Sequence, residues 1–517
     1  MTIVEGSMLR KDVALEADVV VVGSGSGGAV VARELALSGL DVIVLEEGPH
    51  VTAQEYGSWA PTEMMRKIGR AGGTTPALGI GETPTVGIQA GTCVGGSSVF
   101  TGGVCYRIPA DVHDEWSREL GVDSLSYDAM LPHYERVEQM MNIHPVPQEM
   151  RSQGTRLFVE GAEKLGAEVA PIRRNTRGCT GQSKCNYGCP QQSKLSVDLN
   201  YLPSARRHGA RIFADMRVEK VERSGGHASG VSGVILGGPR RRPIHTFAVR
   251  AKTVVLAAGS MHTPLIMMRS KVGKGTGLVG RNLSIHPGFA VAALFDEPVL
   301  MWRGALQSAF CYHPDDPKII YNSIGAPANM VASFLPGIGP EFMRAVREDA
   351  SRLAMFGSMI HDGSNGRVRK GFGREPIITY RMSAEDRASF IRGVEWGMRA
   401  YLEAGATLVY NPFVGLPPVR SLDELARVDF ESIDVRRAQS MSYHPLGTCQ
   451  MGTDPRRSVV DPSGQVHDLP GLYIADGSIF PSSVGVNSQV PILTMATRVA
   501  FEMLARRAAP TRTLRVV

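Results

Sequence analysis

Two polar residues near the C-terminus could act together on an alcohol. His444 lies in the segment MSYHPLGT, where Pro445 favours an extended backbone at the histidine. A histidine can accept a proton near neutral pH, and the amide of Asn487, in the loop IFPSSVGVN, can both donate and accept a hydrogen bond. The chain has 13 histidines, so residue type alone does not separate a catalytic role from a structural one.

Three glycines near the N-terminus have the spacing of a dinucleotide-binding loop. Gly23, Gly25 and Gly28 form GxGxxG directly after a valine-rich segment. In such a loop the first glycine permits a tight turn, the second lets the backbone approach a pyrophosphate, and the third lets the helix pack closely. Glu46 follows Gly28 by 18 residues, where a carboxylate can accept hydrogen bonds from a ribose. The motif predicts a dinucleotide and does not distinguish FAD from NAD.

A second glycine-rich loop, GTCVGGSS, contains Gly95 and Ser97. Small residues there could bring the backbone close to another part of a large cofactor. The same composition also fits an ordinary turn.

Cys179, Cys185 and Cys189 form a third candidate group, with the spacing C-x5-C-x3-C in a glycine-containing loop. Three thiolates could ligate an iron–sulfur cluster of three irons, and a proline after the last cysteine is typical of such loops. Free thiols, or one disulfide that shapes the loop, are the alternatives. Zinc would normally require a fourth ligand, and none is close in the sequence.

The elements that must position these residues begin with a βαβ order. Residues 17–22 and 41–46 are rich in valine and isoleucine, as in strands buried on both faces of a parallel sheet, and residues 29–38 have a helical pattern. Residues 70–105 are rich in glycine and threonine and are predicted to be mostly loop. Further strands are predicted at 211–221, 249–258, 318–321 and 471–476, and further helices at 125–142, 384–404 and 491–504.

Composition restricts the class of protein. The chain has 517 residues, 43% apolar and 21% charged, which predicts a globular protein with more than one domain. Its net charge is +6, and the basic residues form short groups, so we expect no nucleic-acid binding. We also expect no transmembrane segment, because no run of 18 apolar residues occurs. The N-terminus lacks the pattern of a secretory signal, which predicts a cytoplasmic location and leaves contact with a membrane surface open.

Several ordered segments resemble the glucose–methanol–choline (GMC) oxidoreductase family. They cover most of the chain and are VVVVGSGSGGAVVARELALSGLDVIVLEEGP, GTCVGGSSVFTGGVCYR, TVVLAAGSMHTPLIMMRS, GLVGRNLSIHP, SYHPLGTCQMG and GLYIADGSIFPSSVGVNSQVPILTMATRVA. The resemblance implies FAD rather than NAD.

The resemblance also implies roles for single residues. His444 matches the family histidine that takes the proton from a substrate hydroxyl, and Asn487 matches its partner, which orients the alcohol while a hydride passes to flavin N5. Val218 lies in a segment similar to the strand whose backbone contacts the adenine. Asp476 and Gly477 resemble residues that contact the flavin region.

Three positions depart from the family pattern. Thr101 stands where the family usually has asparagine, which puts one flavin contact in doubt. No histidine occurs in 97–103, so non-covalent FAD is expected. Asn487 is followed by Ser488 rather than proline, which could shift that loop. The cysteine loop resembles that of the catalytic subunit of FAD-dependent glucose dehydrogenase complexes, which carries a cluster, and also loops of long-chain and cyclic alcohol-oxidising members.

We therefore predict an α/β fold with a Rossmann-type FAD-binding domain and a second α+β substrate domain that contains a mixed, mainly antiparallel sheet. The FAD-binding domain is assigned to 1–110, 195–290 and 440–517, and the substrate domain to 111–194 and 291–439. The expected reaction oxidises an alcohol to a carbonyl and passes electrons to oxygen, a quinone or a redox protein. Two alternatives are a flavin-dependent lyase or isomerase and an electron-transferring subunit of a larger dehydrogenase complex.

Overall fold

The structure is a computed structural model that describes residues 3–273, 275, 277–335, 340–363 and 365–508. Its helices are α1 Ser26–Leu37, α2 Ala53–Ser58, α3 Pro61–Ile68, α4 Ala110–Leu120, α5 Tyr127–Met141, α6 Gln153–Lys164, α7 Tyr201–Arg207, α8 Gly259–Ser270, α9 Val331–Phe334, α10 Pro340–Arg347, α11 Ala384–Glu403, α12 Leu422–Ala426 and α13 Gln489–Ala508.

Its strands are β1 Val13–Val22, β2 Val42–Leu45, β3 Thr75–Gly79, β4 Val86–Ile88, β5 Ile143–Pro145, β6 Ala170–Pro171, β7 Arg173–Asn175, β8 Arg211–Phe213, β9 Met216–Ser224, β10 His227–Gly237, β11 Arg242–Leu256, β12 Gly288–Leu294, β13 Ala309–His313, β14 Asp316–Ile324, β15 Leu353–Ile360, β16 Arg367–Lys370, β17 Pro376–Tyr380, β18 Leu408–Tyr410, β19 Ser440–Ser442 and β20 Leu472–Ile474.

The first sheet has the order β8-β2-β1-β11-β10-β9, with β20 beside β11. The strands β8, β2, β1, β11 and β20 are parallel, whereas β9 and β10 join as an antiparallel pair. The valines at 19–22 of β1 and those of β2 are buried because helices cover the sheet, and α1 packs against α7 and α13. This is the Rossmann-type part of the predicted fold.

Two glycines in the turn from β1 to α1 cannot be replaced without strain. Gly23 has a φ of +100°, and a Cβ at that position would lie 2.3 Å from the carbonyl oxygen of Ala257. A Cβ on Gly28 would lie 2.0 Å from the carbonyl oxygen of Gly23. The helix can therefore start directly at the end of the strand only because both residues lack a side chain.

The second sheet has the order β16-β17-β3-β4-β19-β12-β15-β14-β13-β6, with β18 beside β12. Only the pairs β17–β3 and β19–β4 are parallel, so the sheet is mixed and mainly antiparallel, as the sequence predicts. Helices α6 and α11 pack on one of its faces, where the rings of Phe158 and Phe356 lie 5.0 Å apart. Helix α8 begins next to the end of β11 and contacts strands of both sheets.

Two predictions from the sequence differ from the structure. The strand predicted at 211–221 is two strands, β8 and β9, because Asp215 has a φ of +60° and turns the chain between them. The segment 70–105 contains β3 and β4, which pair with the second sheet although they lie in the first predicted FAD-binding segment. The five-segment division of the chain stays a prediction. None of the described helices is long and apolar enough to cross a membrane.

Candidate active site

A deep cleft opens at the carboxyl ends of the parallel strands of the first sheet. Its walls include the ends of β1 and β2, the residues after β11, and Asp476 after β20. The cleft encloses about 1310 Å³ of open space, with its mouth included. The carboxyl edge of a parallel sheet is where α/β proteins bind dinucleotides, so the position of the cleft fits the prediction from the glycine motif.

Gly25 has a different role from the other two motif glycines. Its φ is −68°, which any residue can adopt, and the atom nearest to a Cβ built there is the Cα of Gly96, at 3.9 Å. Folding therefore does not require glycine at this position. Because Gly25 lines the cleft at the N-terminus of α1, the missing side chain leaves room for a phosphate beside unpaired backbone N–H groups.

Glu46 lies at the cleft, buried, and its carboxylate is held by the loop around it. It accepts hydrogen bonds from the Ser24 amide at 3.0 Å, the Ser24 hydroxyl at 2.6 Å and the Gly48 amide at 2.7 Å. Burial raises the pKa of Glu46. The amide of Gly95 donates to the same Ser24 hydroxyl at 3.1 Å, so the two glycine loops are joined by one network.

Of the other residues predicted to bind the cofactor, four line the cleft and two do not. Ser97, Val218, Asp476 and Gly477 line the cleft, as does Ser260, whose buried hydroxyl has no partner within the described residues.

Asp476 accepts hydrogen bonds from the amides of Gly259 and Ser478, both at 2.8 Å, and burial raises its pKa. Gly95 and Thr101 do not line the cleft. Thr101 lines a neighbouring cavity, where its hydroxyl lies 3.0 Å from Gln489 Oε1.

The structure brings His444 and Asn487 together from segments that are 43 residues apart. The amide nitrogen Nδ2 of Asn487 lies 3.2 Å from His444 Nε2. His444 follows β19, and its backbone amide donates to the hydroxyl of Ser442 at 3.1 Å. Among the described residues, His444 Nδ1 and Asn487 Oδ1 are buried without a hydrogen-bond partner. Burial lowers the pKa of His444 to about 4, so its imidazole is neutral at pH 7.

The pair lies in two further cavities beside the cleft, which is itself lined by the neighbouring residues Tyr443, Pro445 and Ser488. Both residues line a cavity of about 810 Å³ against the second sheet and another of about 900 Å³ next to the second glycine loop. Tyr443 lines all three spaces. A small molecule in either cavity could therefore contact both residues of the pair.

Three further residues beside this pair were not singled out from the sequence. His286 Nε2 lies 2.9 Å from the hydroxyl of Ser483, which lies 3.2 Å from Asp362 Oδ1. The ring centroids of His286 and His444 are 5.3 Å apart, and His286 Nδ1 is buried without a partner within the described residues. Burial raises the pKa of Asp362 to about 6.

One signal in the sequence could have indicated His286. It precedes a proline in the quoted segment GLVGRNLSIHP, as His444 does in its own segment. Its φ of +49° in the structure is rare for a residue other than glycine, and such conformations cluster at functional sites.

The iron–sulfur prediction for the cysteine loop is not supported. Cys179, Cys185 and Cys189 line one small cavity, but no group of three or more His, Cys, Asp or Glu residues in the described part of the chain is arranged to hold a metal ion. Cys185 Sγ instead accepts a hydrogen bond from the buried guanidinium of Arg174 at 2.9 Å. All three cysteines are free thiols.

Two family models match the chain. The N-terminal model of GMC oxidoreductases matches residues 17–288, and the C-terminal model matches residues 364–496. The chain belongs to the GMC oxidoreductase family. It is therefore similar to oxidoreductases over more than half of its length, including the glycine motif, His444 and Asn487.

Individual proteins agree with the family assignment. A GMC-type oxidoreductase from Mycobacterium tuberculosis H37Rv is 38% identical over 95% of this chain and 76% of its own length. A long-chain-alcohol oxidase from Arabidopsis thaliana is 26% identical over 93% of this chain and 66% of its own. The crystal structure of pyridoxine 4-oxidase from Mesorbium loti superposes with a TM-score of 0.73 at 21% identity, over 94% of this chain and 99% of that one, and shows the same fold.

Proposed function

We propose that the protein binds FAD non-covalently in the cleft and oxidises the CH–OH group of a primary or secondary alcohol to a carbonyl. The observation that carries the proposal is the contact of 3.2 Å between His444 and Asn487, which line two cavities whose shared residue Tyr443 also lines the cleft. Oxygen, a quinone or a redox protein would accept the electrons, and the expected location is the cytoplasm.

The residues at the cleft fit FAD. The glycine loop and the N-terminus of α1 would hold the pyrophosphate, Glu46 would accept from the ribose, and the backbone near Val218 would contact the adenine. Asp476, Gly477 and the unpartnered hydroxyl of Ser260 are available to the flavin end. When bound, FAD supplies an acceptor for a hydride.

His444 would act as the base. Burial keeps its imidazole neutral, so Nε2 can take the proton from the substrate hydroxyl. Asn487 Nδ2, which faces the same nitrogen, would donate a hydrogen bond to the substrate oxygen and so fix the direction of the carbinol C–H bond. With the hydroxyl proton taken by His444, the carbinol C–H bond would be ready to give up a hydride, and loss of both from the alcohol would leave the carbonyl product.

The cavity against the second sheet would hold the body of the alcohol. Phe289, Ile324 and Met359 supply apolar contacts, while Gln307 and Asn322 supply hydrogen-bonding groups. This mixture accepts an apolar substrate that carries a second polar group. Similarity to long-chain-alcohol oxidases supports an alcohol as the substrate class, and the individual compound is left to experiment.

Anaerobic absorption spectra of the purified protein test the proposal. We expect flavin bands that bleach when one class among sugars, fatty, aromatic and steroid alcohols is added. The bleaching should be lost in His444→Ala while the flavin bands stay. A protein without flavin bands, even after FAD is added, would overturn cofactor binding. Turnover of a substrate without bleaching would indicate a lyase or isomerase instead.

A further inference from the structure

Exposed apolar side chains concentrate on one part of the second sheet. Eleven large hydrophobic residues are exposed in the described chain, and four of them belong to this region. Phe372 is fully exposed at the tip of the β16–β17 hairpin, and Leu78, Ile80 and Ile377 are 48%, 40% and 39% exposed. Contiguous apolar surface of this kind marks an interaction site more often than a single exposed residue does.

The strand register places Leu78 and Ile377 on the outward side of neighbouring strands. Val368, Ile378 and Ala77 point into the core from β16, β17 and β3. The alternate residues therefore point outward, and Arg367 pairs with Thr379, which pairs with Leu78. In the next row Arg369 pairs with Ile377. We call the outward surface of these three strands, together with the turn 371–375 and Ile80, the hairpin face.

The hairpin face is strongly basic. Residues 367–381 contain five basic side chains and one acidic side chain, whereas the whole chain has 56 basic and 50 acidic residues. Arg367, Arg369, Lys370 and Arg381 are exposed and have no ion-pair partner in the described part of the chain. The single acid, Glu375, is engaged by Arg70 at 3.2 Å and His262 at 3.5 Å. Four cationic groups without an ion-pair partner among the described residues thus lie along a hairpin whose tip is apolar.

We propose that the hairpin face docks on a lipid bilayer that contains anionic headgroups. A purely basic surface would suit any polyanion, and a purely apolar one would suit another protein. The combination found here matches the bilayer interface, where an aromatic ring enters the boundary between headgroups and acyl chains while Arg and Lys remain at the phosphates. Phe372 is positioned for the first role, and Arg367, Arg369, Lys370 and Arg381 for the second.

This inference does not depend on the proposed reaction. Phe372, Arg369 and Lys370 line none of the three spaces around His444 and the cofactor cleft. Arg374 does line the cleft and is therefore left out of the test variants. Alcohol oxidation in solution and the flavin spectrum should stay unchanged when Phe372, Arg369 or Lys370 is altered.

Vesicle binding of the full-length holoenzyme tests the charge requirement. We expect binding to vesicles of phosphatidylcholine mixed with phosphatidylglycerol, and little binding to phosphatidylcholine alone. The double variant R369E/K370E should bind the mixed vesicles at least about 25-fold more weakly, from roughly fivefold for each charge near the surface. The matched control R10E/K11E changes two exposed, adjacent basic residues elsewhere and should bind as the unaltered protein does.

Two changes at the tip test insertion of the ring. Phe372→Ser should weaken binding about tenfold through the loss of buried apolar area, whereas Leu422→Ser, at another exposed apolar residue, should not. Brominated lipid should quench the added fluorescence of Phe372→Trp and not that of Leu422→Trp.

Absence of binding to the mixed vesicles, or equal binding by R369E/K370E, would overturn the proposal. Binding to heparin without binding to vesicles would also overturn it, because the surface would then serve a soluble acidic partner.

Discussion

The proposed cofactor cleft and the pocket around His444 and Asn487 are built in different ways. The cleft is formed largely by backbone groups at strand ends. Its buried carboxylates, Glu46 and Asp476, each accept several hydrogen bonds from nearby amides and hydroxyls. In the pocket, side chains from distant segments meet, and His444 Nδ1, Asn487 Oδ1 and His286 Nδ1 have no partner among the described residues.

In the cleft the buried carboxylates are satisfied within the fold and the Ser260 hydroxyl is left without a partner among the described residues, whereas in the pocket both residues of the pair carry such an atom. An unpartnered buried polar atom costs free energy, so its presence is tolerated where a ligand supplies the missing bond. We infer that changes in the cleft should act on folding and cofactor affinity, whereas changes in the pocket should act on the rate of the chemical step. The following predictions test this division.

The largest effect is expected for His444→Ala. Loss of the base should lower kcat by about 100- to 10,000-fold, because general-base catalysis contributes this much. The affinity for FAD and the melting temperature should change little. Stopped-flow reduction of the flavin by the best alcohol measures the rate, and flavin absorbance after gel filtration measures retention. If His444→Ala lost FAD as well as activity, the result would contradict the proposal that the cleft and the pocket have separate roles.

A matched pair of glycine variants should separate folding from cofactor binding inside the cleft. Gly28→Ala places a Cβ 2.0 Å from a carbonyl oxygen, and we expect destabilisation by about 1–3 kcal/mol or more. Gly25→Ala meets nothing closer than 3.9 Å, so its apoprotein should melt as the unaltered apoprotein does while FAD binds at least about tenfold more weakly.

Thermal unfolding of both apoproteins and titration with FAD measure the two effects. Equal melting temperatures for the two variants would contradict the distinction between these glycines.

His286→Phe should have a smaller effect than the change at His444. It removes the bonds of His286 Nε2 to the Ser483 hydroxyl and the Gly485 amide next to the base, and loss of buried hydrogen bonds of this kind corresponds to about a tenfold change in rate. The ring volume is roughly kept, so the flavin spectrum should be unchanged. Ser483→Ala breaks the same contact from the other side and should give a similar decrease in kcat. A decrease as large as that of His444→Ala would show that His286 takes part directly in proton transfer.

The smallest effect concerns the position of the acid limb of the pH profile. Since burial lowers the pKa of His444 to about 4, the base stays unprotonated above that pH, and kcat/KM should fall only as the pH decreases towards 4. An unperturbed histidine would give a limb near 6.5. Asp362, whose pKa is raised to about 6, could add a second limb. The variant Asp362→Asn should remove that limb and leave the one from His444.

Much of the cleft could be predicted because its determinants are consecutive in the chain. Strand, glycine turn, helix and second strand follow one another within 46 residues, and each has a local signature in residue type or spacing. The mainly antiparallel second sheet was likewise anticipated. Gly25 and Gly28 look equivalent in the motif, however, and only the positions of Gly96 and Gly23 show that the fold requires glycine at position 28 and not at position 25.

The sequence by itself determined the family, the Rossmann-type core and the identity of His444 and Asn487 as candidates. The tertiary structure alone brought these two within 3.2 Å, added His286, Ser483 and Asp362 beside them, and showed Cys185 bound to Arg174 instead of grouped for a metal. The physical reason is that these features depend on interactions of different range along the chain. A turn or strand is favoured by neighbouring residues, whereas a buried contact between segments 43 to 199 residues apart depends on how the two sheets meet.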